Sequence, residues 1–242
     1  MTVRATLFAT CLGDAFFAEA CADAARLLRH LGVEVSVAHG ATCCGQPAHN
    51  AGHRREARRV AARTRDALAG ADAVVLPSGS CAGMIRHGWP ELLGADGRDV
   101  AERTYELATF VHSVLGVERL GRGLAGRRLA YHHGCHALRV LGSHDEPLTL
   151  LRHAGAEVVD WEADRECCGF GGLFSVKFPS VSAAMADRKL DTLPPAPPVD
   201  AVVSADGGCL MQLGTRAAFR GTPTLSFQHL ASVLWQATGG SP

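Results

Sequence analysis

The residues of this sequence with the most chemistry to offer are its nine cysteines. Eight of them fall into two sets of four: Cys11, Cys43, Cys44 and Cys81, then Cys135, Cys167, Cys168 and Cys209. In both sets the first gap is 32 residues and a vicinal pair is followed by glycine, whereas the last gap is 37 residues in one set and 41 in the other. Thiolates bind soft metal ions and iron–sulfur clusters, so each set is a candidate metal centre.

The spacing helps to choose between metals. Four thiolates at one point repel each other and need a cation to hold them together. Structural zinc sites usually contain cysteine pairs separated by about two to four residues, and no pair in this sequence has that spacing. Adjacent side chains diverge, so a vicinal pair reaches two metal atoms more easily than one. The leading interpretation is therefore two iron–sulfur clusters of the [4Fe-4S] type, with zinc in one half and reactive thiols as alternatives.

The residues between the cysteines repeat as well. Residues 27–35 and 150–158 share the pattern Leu-Leu-Arg-His-x-Gly-x-Glu-Val, and residues 72–75 and 200–203 share Asp-Ala-Val-Val. Matches that persist on both sides of small slips indicate an internal duplication. We expect one cysteine-rich domain at residues 1–120 and a second at 125–242, with the longer last gap explained by the proline-rich stretch 194–198.

Each half is predicted to be α/β with a largely parallel sheet, because short apolar runs alternate with helical segments. Strands are expected at 3–9, 33–38 and 73–76, and at 129–132, 157–161 and 201–203. Helices of about 12 to 15 residues should end at Gly32 and Gly155, where glycine suits the helix C-terminus. An apolar stripe at helical spacing predicts a helix over 57–68, and final helices are expected at 107–115 and 228–237.

The predicted elements bring the cysteines together. Cys11, Cys81, Cys135 and Cys209 each come just after a predicted strand, and both vicinal pairs fall in loops between a strand and a helix. Ligands of parallel α/β folds bind beyond the carboxyl ends of the strands. Each quartet is therefore expected to converge at one edge of its own sheet.

Several motifs resemble those of the CCG cysteine-rich domain family, to which heterodisulfide reductases are related: Cys43-Cys44-Gly45-Gln46-Pro47, Pro77-Ser78-Gly79-Ser80-Cys81 and Cys167-Cys168-Gly169-Phe170-Gly171-Gly172. The resemblance covers nearly the whole chain and is strongest to the lactate-utilization members. It implies an iron–sulfur electron-transfer subunit that is inactive alone. With two companion subunits, at least one of them an iron–sulfur protein, it would oxidise L-lactate to pyruvate.

The sequence departs from the wider family at one position in each half. The family pattern closes with C-x-x-C, and here Ser78 and Asp206 replace the first cysteine of that pair. Four thiolates per half match the needs of a four-iron cluster, and Asp206 is either an oxygen ligand or a loop cap. A thiol- or heterodisulfide-reducing iron–sulfur enzyme and a zinc-stabilised interaction module remain alternative functions.

Other residues near the quartets have simpler interpretations. Cys21 lies in a predicted helix and is expected to be a small buried side chain, not a ligand. His132, His133 and His136 flank Cys135. They could form a cysteine–histidine nucleophile, line a cluster and tune its potential, or face solvent.

Composition argues against two other classes of function. The 24 basic and 24 acidic residues give no net charge, so the chain lacks the positive field that nucleic-acid binding needs. No apolar run approaches the roughly 20 residues that span a bilayer, and the N-terminus has no signal-peptide layout. We therefore expect a cytoplasmic protein without a membrane span, in which nine cysteines do not form a disulfide framework.

Overall fold

Two parallel sheets of four strands each form the frame of the protein. The structure, a computed structural model, describes residues 2–222 and 224–241. The strands are β1 Arg4–Leu7, β2 Glu34–Val37, β3 Val74–Leu76, β4 Thr104–Glu106, β5 Arg128–Tyr131, β6 Glu157–Val158, β7 Ala201–Ser204 and β8 Phe227–His229. The first sheet has the order β2-β1-β3-β4 and the second the order β6-β5-β7-β8, so the two halves repeat one topology.

Helices cover both faces of each sheet. In the first half they are α1 Cys11–Phe16, α2 Ala18–His30, α3 Gln46–Asn50, α4 Arg54–Ala67, α5 Gly79–Gly83, α6 Trp89–Leu93, α7 Ala95–Glu102 and α8 Leu107–Thr109. In the second half they are α9 Glu146–His153, α10 Leu173–Lys177, α11 Pro179–Asp191, α12 Gly207–Phe219 and α13 Leu230–Ala237. Turns of π-helix at Met84–Gly88, Phe110–Val114 and Ala137–Leu141 extend or precede these helices.

Alternating side chains of the strands pack into two different hydrophobic cores. In β7, Ala201 and Val203 face the core between the two sheets, whereas Val202 faces the outer helices of its own half. In β3, Val75 faces the central core, and Val74 faces the outer core of the first half. This period of two is what a strand covered on both faces requires.

The central core belongs to both halves. Helix α2 of the first half packs against α13 of the second, and α8 packs against α9. Leu27 and Leu28 on α2 and Leu234 on α13 have no exposed surface, which places them inside this shared core. Leu120 and Leu124, from the connection between the halves, are drawn into the same core. The division at 1–120 and 125–242 therefore stays a prediction about domain boundaries.

The predicted fold class is confirmed: the chain is α/β, with two pseudo-symmetric halves and parallel sheets. Three details of the prediction were wrong. A fourth strand closes each sheet, β4 and β8, so residues 228 and 229 are strand and not helix. The helix expected to run for about 12 to 15 residues up to Gly155 is the eight-residue α9, because Pro147 lies in its first turn and Gly142 takes a left-handed conformation before it.

None of the helices in the described parts of the chain is both long and apolar enough to cross a membrane.

Glu106, the last residue of β4, is a buried carboxyl at the N-terminus of α8. Its Oε2 accepts the backbone N–H groups of Ala108, at 2.8 Å, and of Thr109, at 3.2 Å. Its Oε1 is buried and has no hydrogen-bond partner among the described residues. Burial raises the pKa of this carboxyl to about 8, against the opposing effect of the two N–H groups. Glu106 is therefore largely protonated at neutral pH.

We expect Glu106 to make the protein less stable as the pH rises. The carboxyl has a pKa of about 8 in the folded chain against an ordinary value of 4.5, so between these values only the unfolded chain has released the proton. Stability then falls with rising pH by up to about 1.4 kcal/mol per unit. Glu106→Gln has no proton to lose, so the stability of the variant relative to the parent should rise from pH 5 to about pH 8 and then level off.

Denaturant unfolding of both proteins at pH 5, 7 and 9 measures this difference. Parallel pH profiles for parent and variant would show that Glu106 ionises normally in the folded chain.

Candidate metal centres

Four of the eight quartet cysteines lie at the starts of helical segments that follow strands. Cys11 is the first residue of α1, and Cys135 begins the helical turn before residues 137–141. Cys81 and Cys209 are the third residues of α5 and α12. The N-terminus of a helix carries partial positive charge, which favours a thiolate over a thiol.

The first quartet is arranged as two pairs of sulfur atoms. The Sγ atoms of Cys11 and Cys43 are 3.7 Å apart, and those of Cys44 and Cys81 are 3.4 Å apart. The Cys43 and Cys44 thiols also contact each other. Cys44 and Cys81 are buried, whereas Cys11 is exposed, so one side of the quartet faces the core and the other faces outward.

The second quartet repeats this arrangement. The Sγ atoms of Cys168 and Cys209 are 3.0 Å apart and buried, and Cys135 and Cys167 form the more accessible pair. The structure thus brings together, within each half, all four cysteines that the sequence singled out.

The thiols of each quartet share a negative charge unequally. Hydrogen bonds from the Cys11 and Cys44 thiols, with the N–H of Gly45, lower the pKa of Cys43 to about 3. Contacts with Cys135 and Cys168 lower the pKa of Cys167 to about 2. The neighbours respond in the opposite direction, because the pKa of Cys44 is raised well above its usual value by its contacts with other thiols and by burial. Each quartet alone therefore favours one thiolate among protonated thiols, and a cation is what would let the others ionise.

Backbone N–H groups point at the vicinal sulfurs. Gly45 N lies 3.5 Å from Cys43 Sγ, and Gly169 N lies 3.4 Å from Cys167 Sγ. Phe170 N lies 3.4 Å from Cys168 Sγ. These donors match what the sulfurs of a negatively charged metal–thiolate group accept.

The glycine after each vicinal pair is required by a helix behind it. Gly45 and Gly169 both have left-handed φ angles, +88° and +87°. A Cβ at Gly45 would lie 2.9 Å from the carbonyl oxygen of Ala57, and one at Gly169 would lie 2.5 Å from that of Ser182. The glycine therefore lets the vicinal loop pack directly on α4 or α11.

Two side chains missed by sequence reasoning hold the first vicinal pair in place. The indole Nε1 of Trp89, which is fully buried, donates to the carbonyl oxygen of Cys44 at 2.8 Å. The hydroxyl of Thr64 donates to the carbonyl oxygen of Cys43 at 2.9 Å. The sequence offered no sign of these contacts, because Thr64 was part of an apolar stripe and Trp89 has no spacing relation to the cysteines.

Both quartets face one cavity. This cavity, of about 240 Å³, lies between the halves and is lined by three cysteines of the first quartet and all four of the second. Phe17, Phe170 and His229 contribute ring surfaces to its wall. The sequence predicted one site per sheet edge, but it gave no indication that the two edges would meet.

Ser78 and Asp206, which replace the cysteines of the wider family pattern, form a hydrogen bond with each other between the two halves. Asp206 Oδ1 accepts the Ser80 backbone N–H at 2.9 Å and the Ser78 hydroxyl at 3.1 Å. Asp206 occupies the N-cap position of α12 but makes no cap bond to its own helix. Its carboxylate instead binds the N-terminus of α5 in the other half. Of the two roles expected for Asp206, this contact is therefore a capping one, made to a helix of the other half.

We expect Asp206→Ala to lower the free energy of unfolding by about 1–3 kcal/mol, because the buried Ser78 hydroxyl and the partly buried Ser80 N–H lose their acceptor. Asp206→Asn keeps a carbonyl oxygen in the same place and is the matched control, with an expected loss below about 1 kcal/mol. Denaturant titration of the three proteins at one pH compares them. Equal losses in both variants would mean that the carboxylate charge, and not the cap geometry, carries the effect.

The histidines around Cys135 take different positions. His136 Nδ1 lies 3.5 Å from Cys135 Sγ, and its side chain lines the cavity. His133 points to Asp164 at 3.8 Å. His132 is fully buried beside Cys168 and Cys209. Burial lowers the pKa of His132 to about 3 and that of His133 to about 4, so both rings are neutral at physiological pH.

A buried lysine was also missed. Lys189 has no exposed surface, donates to the carbonyl of Ala163, and lies 4.3 Å above the ring of Trp161. Burial lowers its pKa to about 8, while the Cys168 thiol opposes the shift. The signal available was composition, because the chain has only two lysines, Lys177 and Lys189.

Cys21 lies outside both quartets. It is buried on α2 and donates to the carbonyl oxygen of Ala9 at 3.4 Å, and it does not line the cavity.

Comparison with known proteins identifies the family. The model of the cysteine-rich domain family, CCG, matches residues 5–86 and 129–214. A lactate utilization protein A from Geobacillus kaustophilus (strain HTA426) is 43% identical over 239 residues, which is 96% of this chain and 98% of the relative. Proteins of the same name from Geobacillus thermodenitrificans (strain NG80-2) and Anoxybacillus flavithermus (strain DSM 21510 / WK1) are each 40% identical, over 96% of this chain and 98% and 99% of their own.

A solved structure of an aspartate racemase homologue from Pyrococcus horikoshii OT3 aligns over 98% of this chain and 97% of its own, at 13% identity and a TM-score of 0.34, which is too low to support any argument. The family match and the curated relatives agree with the two quartets and their vicinal motifs. The chain therefore belongs to the lactate utilization protein A family of paired CCG cysteine-rich domains.

Proposed function

We propose that this protein is an iron–sulfur electron-transfer subunit of an assembly that oxidises L-lactate to pyruvate. The name of its relatives supports a role in lactate use. Oxidation of lactate to pyruvate releases two electrons and two protons, and the sequence carries no flavin-binding motif to accept a hydride. The role left for this chain is to pass on electrons that a companion subunit removes, and an iron–sulfur cluster supplies that one-electron chemistry when bound.

The observation that carries this proposal is the pairing of the sulfurs. One tetrahedral zinc ion with Zn–S bonds of about 2.3 Å would place all four sulfurs within about 3.8 Å of one another. Within the described residues, the only three ligand atoms that all lie within 4.8 Å of one another are those of His132, Cys168 and Cys209. No three sulfurs of either quartet meet that distance, so neither quartet has the compact form of a four-sulfur zinc site. Each half instead presents two separate sulfur pairs, and this arrangement supports a group with several metal atoms.

The chain's own groups are suited to hold such a cluster. Cys11, Cys43, Cys44 and Cys81 would bind the first, and Cys135, Cys167, Cys168 and Cys209 the second. The helix N-termini at Cys81 and Cys209 offset part of the negative charge of the thiolates. The N–H groups of Gly45 and Gly169 donate to sulfur. The cavity that both quartets line would keep the two centres close together.

Single serine variants should remove iron from one half at a time. Cys44→Ser should lose the first cluster and Cys168→Ser the second, so each retains roughly half of the iron of the parent, because a cluster with three thiolates is poorly held. Cys21→Ser is the matched control and should keep all of it. Iron and sulfide analysis with EPR after anaerobic purification gives the result. Iron loss in Cys21→Ser with none in Cys44→Ser would overturn the ligand assignment.

The isolated chain should not oxidise L-lactate. Anaerobic protein with both clusters, mixed with L-lactate and a dye acceptor, is expected to give no pyruvate above background. The same clusters should be reduced by a low-potential chemical donor, which is the control for their redox competence. Turnover of lactate by the chain alone would contradict the role of an electron-transfer subunit.

The shared cavity favours a second candidate, a thiol- or heterodisulfide-reducing iron–sulfur enzyme. A small disulfide in that cavity would contact cysteines of both quartets. Reduction of a mixed disulfide by the purified, pre-reduced chain at an enzymatic rate would support this candidate, and its absence would support the electron-transfer role.

The group of His132, Cys168 and Cys209 favours a third candidate, a zinc-stabilised module, which predicts colourless protein with zinc and no iron.

A further inference from the structure

His132 is a buried polar side chain without a partner. It has no exposed surface, and neither ring nitrogen makes a hydrogen bond to a described residue. The carbonyl of Asp164 approaches the ring, but it accepts the backbone N–H of His133, at 3.1 Å. Buried polar groups are nearly always paired, so an imidazole left unpaired in this way calls for a partner.

Two sulfur atoms of the second quartet lie near the His132 ring. One of its nitrogens, Cys168 Sγ and Cys209 Sγ all lie within 4.8 Å of one another. Trp161 packs edge-on against the ring, with 6.4 Å between the ring centroids, and offers it no acceptor. Apart from the Asp164 carbonyl, which already accepts the His133 N–H, the acceptors near the His132 ring among the described residues are therefore sulfur atoms of the second quartet.

The first half has no such group. Phe8 is the repeat equivalent of His132, since the N–H of Phe8 donates to the Val75 carbonyl at 3.0 Å and that of His132 donates to the Val203 carbonyl at 2.8 Å. Val75 and Val203 occupy the same place in β3 and β7. Phe8 is buried and has no hydrogen-bonding group. One quartet is thus backed by a hydrocarbon ring and the other by an imidazole.

A second residue makes the same distinction. Ala57 and Ser182 hold equivalent positions, because each is approached by the glycine of its vicinal motif. Seven residues later, the first half has Thr64 and the second half has Lys189. Thr64 uses its hydroxyl on the Cys43 carbonyl, whereas Lys189 places an ammonium group in the field of Cys168 and Cys209. Both differences put more donor character and more positive charge beside the second quartet.

We propose that His132 donates a ring N–H to a sulfur of the second centre, at Cys168 or Cys209, and that this bond gives the second centre the higher reduction potential of the two. The inference rests on the proposed function, because it requires that both quartets hold redox-active clusters. A donor to sulfur stabilises the reduced, more negative cluster over the oxidised one. An electron that enters the first centre would then pass to the second, and the second half would be the side from which electrons leave.

The test is an EPR-monitored redox titration of the anaerobic full chain. Cys44→Ser isolates the second centre and Cys168→Ser the first. Adding His132→Phe to Cys44→Ser should shift the reduction equilibrium of the second centre at least tenfold toward the oxidised form, which is about 59 mV for one electron. His132→Gln retains an N–H donor and should recover part of the shift.

His133→Phe is the matched control, because this neighbouring buried imidazole points to Asp164 and Tyr131 and not to sulfur. It should leave the potential of the second centre within a twofold change of the equilibrium. An equal shift in His133→Phe, or no shift in His132→Phe with the cluster intact, would overturn the hydrogen bond. A chain without iron would overturn the proposed function itself.

Pulsed EPR on protein labelled with 15N-histidine provides a readout that needs no substitution at His132. A weak histidine nitrogen coupling to the reduced second centre, and none to the first, is the expected result. No histidine coupling, or the strong coupling of a nitrogen bound directly to iron, would contradict a hydrogen bond to sulfur.

Discussion

Several thiols cannot ionise together in a small volume unless positive charge joins them, and this constraint governs the whole chain. In each quartet one sulfur takes the negative charge, and its neighbours become much weaker acids. The fold brings four such groups together twice, at strand ends that meet helix N-termini, and holds the vicinal loops against α4 and α11 through Gly45 and Gly169. The surrounding structure holds the thiols where a bound metal cation would let them ionise together.

The close packing of the two halves places the two quartets beside one cavity. Each quartet lies at the carboxyl end of its sheet, and the central helices α2, α8, α9 and α13 orient the sheets so that both ends open into one cavity. A partner or substrate that reaches this cavity meets both centres at once. The asymmetry between Phe8 and His132 lies directly behind the buried cysteines of the two quartets, and not at a distant surface.

Sequence patterns identified the duplication, the parallel α/β class and both quartets, because cysteine spacing and short apolar runs can be read directly from the linear sequence. They missed β4 and β8, since the segments Thr-Tyr-Glu and Phe-Gln-His are short, partly polar and adjacent to strong helix signals. Beyond the convergence of each quartet, they missed the contacts made between distant parts of the chain. The hydrogen bond of Trp89 to Cys44, the unpaired nitrogens of His132 and the bond between Ser78 and Asp206 depend on packing that no local pattern encodes.

The bond between Ser78 and Asp206 joins two residues that hold the same place in the repeat, 128 positions apart. Such a pair lies on the pseudo-two-fold axis that relates the halves. In a homodimer of single repeats, symmetry would place one residue type at both positions, and two carboxylates there would repel each other whereas two hydroxyls would bond only weakly. The unlike pair is open only to a fused chain, in which the two copies can carry different residues at the equivalent position.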